Sequence, residues 1–429
     1  MQKRFILPTL FCLTAALSYA GEPDSLLYSN HIFDSRIKTV LLYKEGWNLS
    51  YPVIKLNDNE KLVLEFDLID DRMETYYYSI IHCDKDWNKS DIIYNEYLDG
   101  FPDNPVEDCE PSFNTTVNYF HYKVVFPNDR ITFRKSGNYI INLYPSGYPE
   151  KPALVQRFVV TEDLVDINIT MHRPQLSADD NARQQVDFTV MLRNSGIIDP
   201  DINIYSFILQ NGRWDNAKRN LKPVVFGNNE LIYNSLSDKN IFMGGNEFRY
   251  FDITSVKYQS EYIKKIDFIP PNYCVWLYPS ENREFKPYFY WKDFNGKYYI
   301  ATQEGQDPGT DADYFYVYFS LPSKQPVEGG QMYVSGDLSD WELNGDNRMT
   351  YDSGKGEYEG LMLLKQGWYN YEYMFLKDGS HSGVATKFEG SHYQTENDYQ
   401  VIVYYRSPFE RYDRVAGTAT ANTLNRMAY

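Results

Sequence analysis

Almost nowhere in this chain do apolar residues recur at the 3.6-residue spacing of a helix. Short runs rich in aromatic and β-branched residues recur instead, separated by Asn, Asp, Gly and Pro. A first block holds KTVLLYK (38–44), KLVLEFDL (61–68), TYYYSIIHC (75–83), VNYFHYKVVF (117–126), NYIINLY (138–144) and ALVQRFVV (153–160). Six strands of this length and spacing describe a sandwich of immunoglobulin type. A second block opens with VDINITM (165–171), QVDFTVMLR (185–193) and INIYSFILQ (202–210), and includes FRYFDI (248–253) and PYFYWKDFNGKYYIAT (287–302). In the last of these, Asn295-Gly296 between aromatic runs predicts a two-residue hairpin. A third block runs from DYFYVYFSL (313–321) to NDYQVIVYYR (397–406). The expectation is an all-β protein of three successive immunoglobulin-like or early-set β-sandwich domains. The N-terminal domain takes 21–162, a middle β-rich domain 163–311 and an early-set sandwich 312–406, with a partly mobile tail over 407–429.

Composition narrows the function classes. The 40 Tyr and 25 Phe suit pleated, half-buried surfaces. Lys3 and Arg4, an apolar stretch from Phe5 to Leu17 and Ser18-Tyr19-Ala20 form a secretory signal over residues 1–20, cut after Ala20. No later apolar run reaches the length of about 20 residues that spans a bilayer. The formal charge is −17, and −19 once Lys3 and Arg4 leave with the signal. That sign argues against nucleic acid and against anionic lipid. Cys83, Cys109 and Cys274 remain after processing, too few for a disulfide scaffold. A bridge between Cys83 and Cys109 would close a loop of about 27 residues and add roughly 3.5 kcal/mol in the chain-entropy model; buried free thiols are the alternative.

The stretch IIHCDKDWNKSD (80–91) has the letters of an active site. Asp84, Asp86 and Asn88 match the first ligands of a calcium loop, yet Lys89 replaces the turn glycine and Asn95 the bidentate Glu. Neighbours on a strand point to opposite faces, so His82 cannot serve as base for Cys83. A strand ending in a polar turn, with Trp87 folded back as a core or interface aromatic, accounts for every letter. The six histidines lie far apart without metal spacing, and no nucleophile elbow, P-loop or dinucleotide fingerprint occurs. Catalytic residues, cofactor ligands and metal ligands are therefore expected to be none. Scattered carboxylates leave a hydrolase as a minor alternative.

Two resemblances add to this reading. The third block resembles the carbohydrate-binding sandwich of starch and glycogen enzymes, through the turn from Gly336 to Trp341 and the strand ending in Asp378-Gly379. In that family Trp341 would stack on a sugar ring, but Ser380 and His381 stand where a second tryptophan belongs, and Asn397 falls only near a sugar-contacting asparagine. An exported glycan-binding protein is thus the alternative function, and packing is the competing role for Trp341.

Over about 30–410, the strings IIHCDKDWNKSD, EYLDGFPD (96–103), SFNTTVNYFHY (112–122), FPNDRITFRKSGNY (126–139), QNGRWDNA (210–217), GGNEFRYFD (244–252) and FKPYFYW (285–291) resemble the plug family of the type 9 secretion system of Bacteroidota. The resemblance implies a periplasmic, non-enzymatic protein, peripheral to the outer membrane. Its implied partner is a very large outer-membrane β-barrel translocon, whose periplasmic mouth it closes when no cargo passes. Size agrees: a compact chain of about 409 residues is roughly 55–60 Å wide, and a barrel of about 36 strands is roughly 70 Å across at its backbone. Exposed turn aromatics are the candidate partner contacts, namely Trp87, Trp214 and Trp341, with core packing as the competing role for each.

Overall fold

The computed structural model describes residues 28–174, 180–193, 195–227, 229–234 and 238–425; the expected signal peptide lies outside them. The described residues are nearly all β, arranged in several separate sheets. Their helices are single turns of three or four residues, and none is long and apolar enough to cross a membrane.

The N-terminal sandwich stacks a six-stranded sheet on a four-stranded one. Strand Leu62–Leu68 shows how sequence drives this. Leu62, Leu64, Phe66 and Leu68 point into the core, where they meet Tyr76, Tyr78 and Ile80 of the facing sheet. The alternate position Asp67 points away from this core, yet it too is fully buried. A second body therefore covers that face.

The middle sandwich pairs Asp166–His172, Arg183–Met191 and their neighbours with a sheet built around Ile204–Gln210. The partner of that last strand comes from far along the chain: Ile204 to Gln210 lie antiparallel to Tyr405 to Tyr399. Strand Arg414–Asn422 then closes the sheet edge. Both faces of this sheet are covered. Ile208, Val401 and Val403 fill the middle core, while Phe207, Leu209, Ile402 and Tyr404 pack against Val159 of the N-terminal sandwich. Double coverage explains the nearly unbroken apolar runs FILQ and VIVYY. At roughly 1.5–3 kcal/mol per buried apolar side chain, this seam outweighs any surface ion pair, worth about 0–1 kcal/mol.

The third sandwich occupies the chain between these halves. Its sheets meet through Phe251, Tyr369, Tyr371 and Tyr373 on one side and Val275, Phe315, Val317 and Phe319 on the other.

Four expectations are corrected. The domains are not successive, because 398–422 completes the middle sandwich and the third is inserted into it. The boundary between 311 and 312 does not hold either: Asn272–Leu277 pairs in parallel with Tyr314–Pro322, so residues on both sides share a sheet. Local patterning shows where strands are, but a pairing between residues 210 and 399 leaves no local trace. The expected tail is strand from Arg414 to Asn422. Asn295-Gly296 does form its turn, with φ of 53° and 84° and Lys297 N donating to Phe294 O at 3.2 Å. No hairpin results, however, because Tyr298–Ile300 pairs with Gly367–Lys377 and the aromatic run before the turn is irregular. Of the two readings left open for Cys83 and Cys109, the structure has the free thiols, on strands of different sheets.

Candidate functional site

The three tryptophans proposed as contacts come from three different sandwiches and converge on one small cavity. Trp87 sits in a tight turn with φ of 67°, organised by Asp84, whose Oδ1 accepts the amides of Asp86 and Asn88 at 2.9 Å each. Its ring is 2% exposed, meets the edge of Trp214 at 4.9 Å and lies 4.4 Å from the Arg157 guanidinium. Trp341 ends the turn that begins at Gly336, to whose carbonyl its amide donates at 3.0 Å. The Arg213 guanidinium stands 4.5 Å over its ring. All three line a cavity of about 100 Å³ with Arg157, Lys297 and Asp340.

This cavity is a seam, well below the roughly 300 Å³ of small-molecule sites. Burial pushes the Asp340 carboxyl up to about 7, while Asn30 Nδ2 and Gln156 Nε2 donate to it at 2.8 and 2.5 Å. Burial lowers Lys297 to about 8, and its ammonium rests 3.5 Å over the Tyr51 ring. Partner contact through Trp87 is corrected accordingly, since a ring packed between Trp214 and Arg157 offers no surface. Trp214 and Trp341 are half-buried in the same seam.

The strand before this turn carries no catalytic pair. His82 faces Tyr97, Tyr139 and Tyr412, whereas Cys83 packs with Trp87, Ile140 and Val155 on the other face. Burial drives the imidazole down to about 4 and the thiol up to about 12. Both shifts favour neutral, inert groups.

The sugar-site residues are equally committed elsewhere. Asn397 is 2% exposed; its Nδ2 donates to Gln184 Oε1 at 3.0 Å and Gly244 O at 2.8 Å, and its Oδ1 accepts from Asn211 Nδ2 at 2.8 Å. It joins the middle and inserted sandwiches and has no donor left for a sugar.

Sequence reasoning missed a different feature. The irregular segment 281–294 presents Phe285 at 90% exposure and Phe289 at 71%. Its neighbours are tied down. Arg283 donates through Nε and Nη2 to Glu389 Oε2 at 2.8 and 2.5 Å, and Glu389 also accepts from Arg249 Nε at 3.0 Å and Tyr373 N at 2.8 Å. Burial opposes ionisation of Glu389, but the two guanidiniums win and hold it at about 2. Tyr288 donates to Glu247, Tyr290 to Glu396 at 3.2 Å, and Trp291 Nε1 to Phe248 O at 2.8 Å. The string FKPYFYW was visible in the sequence, but its aromatics read as strand.

Residues 37–162 match the model described as the first domain of the type 9 secretion system plug protein. A crystal structure of a hypothetical protein from Parabacteroides merdae is 33% identical, covers 92% of this chain and 99% of its own, and superposes with a TM-score of 0.89. The chain belongs to the type 9 secretion system plug family. Membership in the plug family places its role in type 9 secretion and is not membership in a family of enzymes. No curated protein matches this plug-family chain. Matches to a Pseudomonas fluorescens alkylpurine DNA glycosylase (11% identity, 29% of this chain and 30% of that one, TM-score 0.17) and to the S. aureus collagen adhesin (7%, 92% and 94%, 0.11) carry no argument. Nothing among the comparisons supports the glycogen-binding resemblance of the third sandwich.

Proposed function

We propose that this protein is a non-catalytic periplasmic plug, exported by a cleaved signal over residues 1–20, that binds the outer-membrane translocon barrel and occludes its periplasmic opening when no cargo passes. Family membership supplies the system. The observation that carries occlusion is the way the three sandwiches interlock. An occluding body must not open along its own seams. Here a sheet shared by residues 204–210 and 398–405 is buried on both faces, and Asp67 of the N-terminal sandwich pairs with Lys365 of the inserted one at 2.7 Å, each side chain 1% exposed. Contacts of this kind favour one rigid unit, and its width of roughly 55–60 Å suits a very large barrel.

Binding is tested by mixing the chain from residue 21 with purified type 9 translocon barrel and following co-elution. A stable complex is expected. Separate elution at micromolar concentrations of both would overturn the reading.

A further inference from the structure

We propose that the loop 281–294 is the docking element of this protein, and that Phe285 and Phe289 insert into apolar pockets of a protein partner rather than a membrane. The inference rests on the plug reading above, and takes the partner to be the periplasmic rim of the translocon barrel.

Two observations carry it. Phe285 and Phe289 lie four positions apart at 90% and 71% exposure, on a segment without regular backbone pairing that is nevertheless held at its base. Arg283, itself 7% exposed, is buried as an ion pair with Glu389. Tyr288 and Trp291 turn their polar atoms inward to Glu247 and the Phe248 carbonyl, and Tyr290, on the surface, donates to Glu396. Gly390, at φ of 74°, lets the chain pass where an added Cβ would stand 3.0 Å from Arg283 O. A loop with several of its side chains anchored loses little conformational freedom on binding, and fixed aromatic rings are what interfaces use as anchors.

Charge selects the class of partner. Of the two exposed lysines in the segment, Lys286 is engaged by Glu281, and Glu284 and Glu396 flank the loop. The surface has no basic excess, so an anionic lipid surface has nothing to attract it. Second copies, each at a formal −19 once Lys3 and Arg4 leave with the signal, repel. The partner of fitting chemistry is a protein surface with apolar pockets in a basic rim.

The test compares wild type, the double variant Phe285→Ser/Phe289→Ser and, as an equally exposed aromatic elsewhere, Phe409→Ser (85% exposed) for affinity to purified translocon barrel. Both sites are on the surface, so unchanged melting temperatures are expected. The double variant should weaken binding at least ~30-fold, the value of one hot-spot side chain. Phe409→Ser should stay within about twofold, and wild-type affinity should fall as salt rises. Wild-type binding that survives loss of both phenylalanines overturns the loop while leaving the plug reading intact. Absence of wild-type binding overturns both. Sedimentation showing a dimer dissolved by the double variant, or wild-type binding to phosphatidylglycerol vesicles lost in it, would assign the loop to a second copy or to lipid and likewise overturn the proposal.

Discussion

The ammonium of Lys365 lies 2.7 Å from the carboxylate of Asp67, 298 positions away in the chain and in another sandwich. Tyr314 OH donates to the same oxygen at 2.6 Å, and the His121 ring to the other at 2.7 Å. Burial pushes the Asp67 carboxyl up, but Lys365 and His121 outweigh it and hold it below the ordinary carboxylate value. One charged cluster thus fixes how the N-terminal and inserted sandwiches meet.

Lys365→Met removes one charge and strands the other. The cost of breaking such a pair is about 3–5 kcal/mol, so a marked drop in unfolding midpoint is expected. Asp67→Asn combined with Lys365→Met should recover much of it, since a neutral pair leaves no uncompensated charge. Equal midpoints for wild type and Lys365→Met in denaturant titration would refute the cluster's role.

Gly296→Ala should be costly for two separate reasons. Its φ is 84°, and an added Cβ would stand 2.4 Å from Cη2 of the Trp341 ring. Backbone strain and overpacking together come to about 2 kcal/mol or more. Gly345→Ala, with nothing within 4 Å of the added methyl, is the control and should be near neutral. Thermal melts of the two variants decide it.

Glu247 gives a pH-dependent prediction. It is fully buried, its Oε2 has no hydrogen-bond partner, and burial raises its carboxyl to about 7. The folded protein therefore keeps this proton between about pH 4.5 and 7, where the unfolded chain has lost it, and stability from this group falls as pH rises through that window. Glu247→Gln mimics the protonated form. Its melting temperature relative to wild type should be level at pH 4 and rise to a plateau above pH 7, equivalent to about 3 kcal/mol. A pH-independent difference would contradict the assignment.

The sugar alternative makes its own prediction. Because the Trp341 ring lies beneath Arg213 in the seam, millimolar maltooligosaccharide should leave tryptophan fluorescence unchanged, and Trp341→Ala should lower stability. Quenching that Trp341→Ala abolishes would restore the glycan reading.

Much of the fold was legible because alternation is local. Tyr78 and Ile80 inward, with Cys83 on the opposite face from His82, follow from period two alone, and the structure keeps that order. What stayed hidden is long-range. Nothing near Ile204 announces that Tyr405 will pair with it, so the insertion and its boundaries were out of reach. That Trp87, Trp214 and Trp341 stand in turns is local and readable, but exposure is a tertiary property. Trp87, Trp214 and Trp341 converge inside a seam, while Phe285 and Phe289, in a run that reads as strand, are among the rings left outside.

Occlusion itself is tested most directly by electrical conductance. Purified translocon barrels in a planar bilayer should pass a large steady current, and wild-type protein added on the periplasmic side should reduce it toward baseline over the concentration range in which the complex forms. Current that persists at full occupancy would contradict the account, leaving a protein that binds the translocon without closing it.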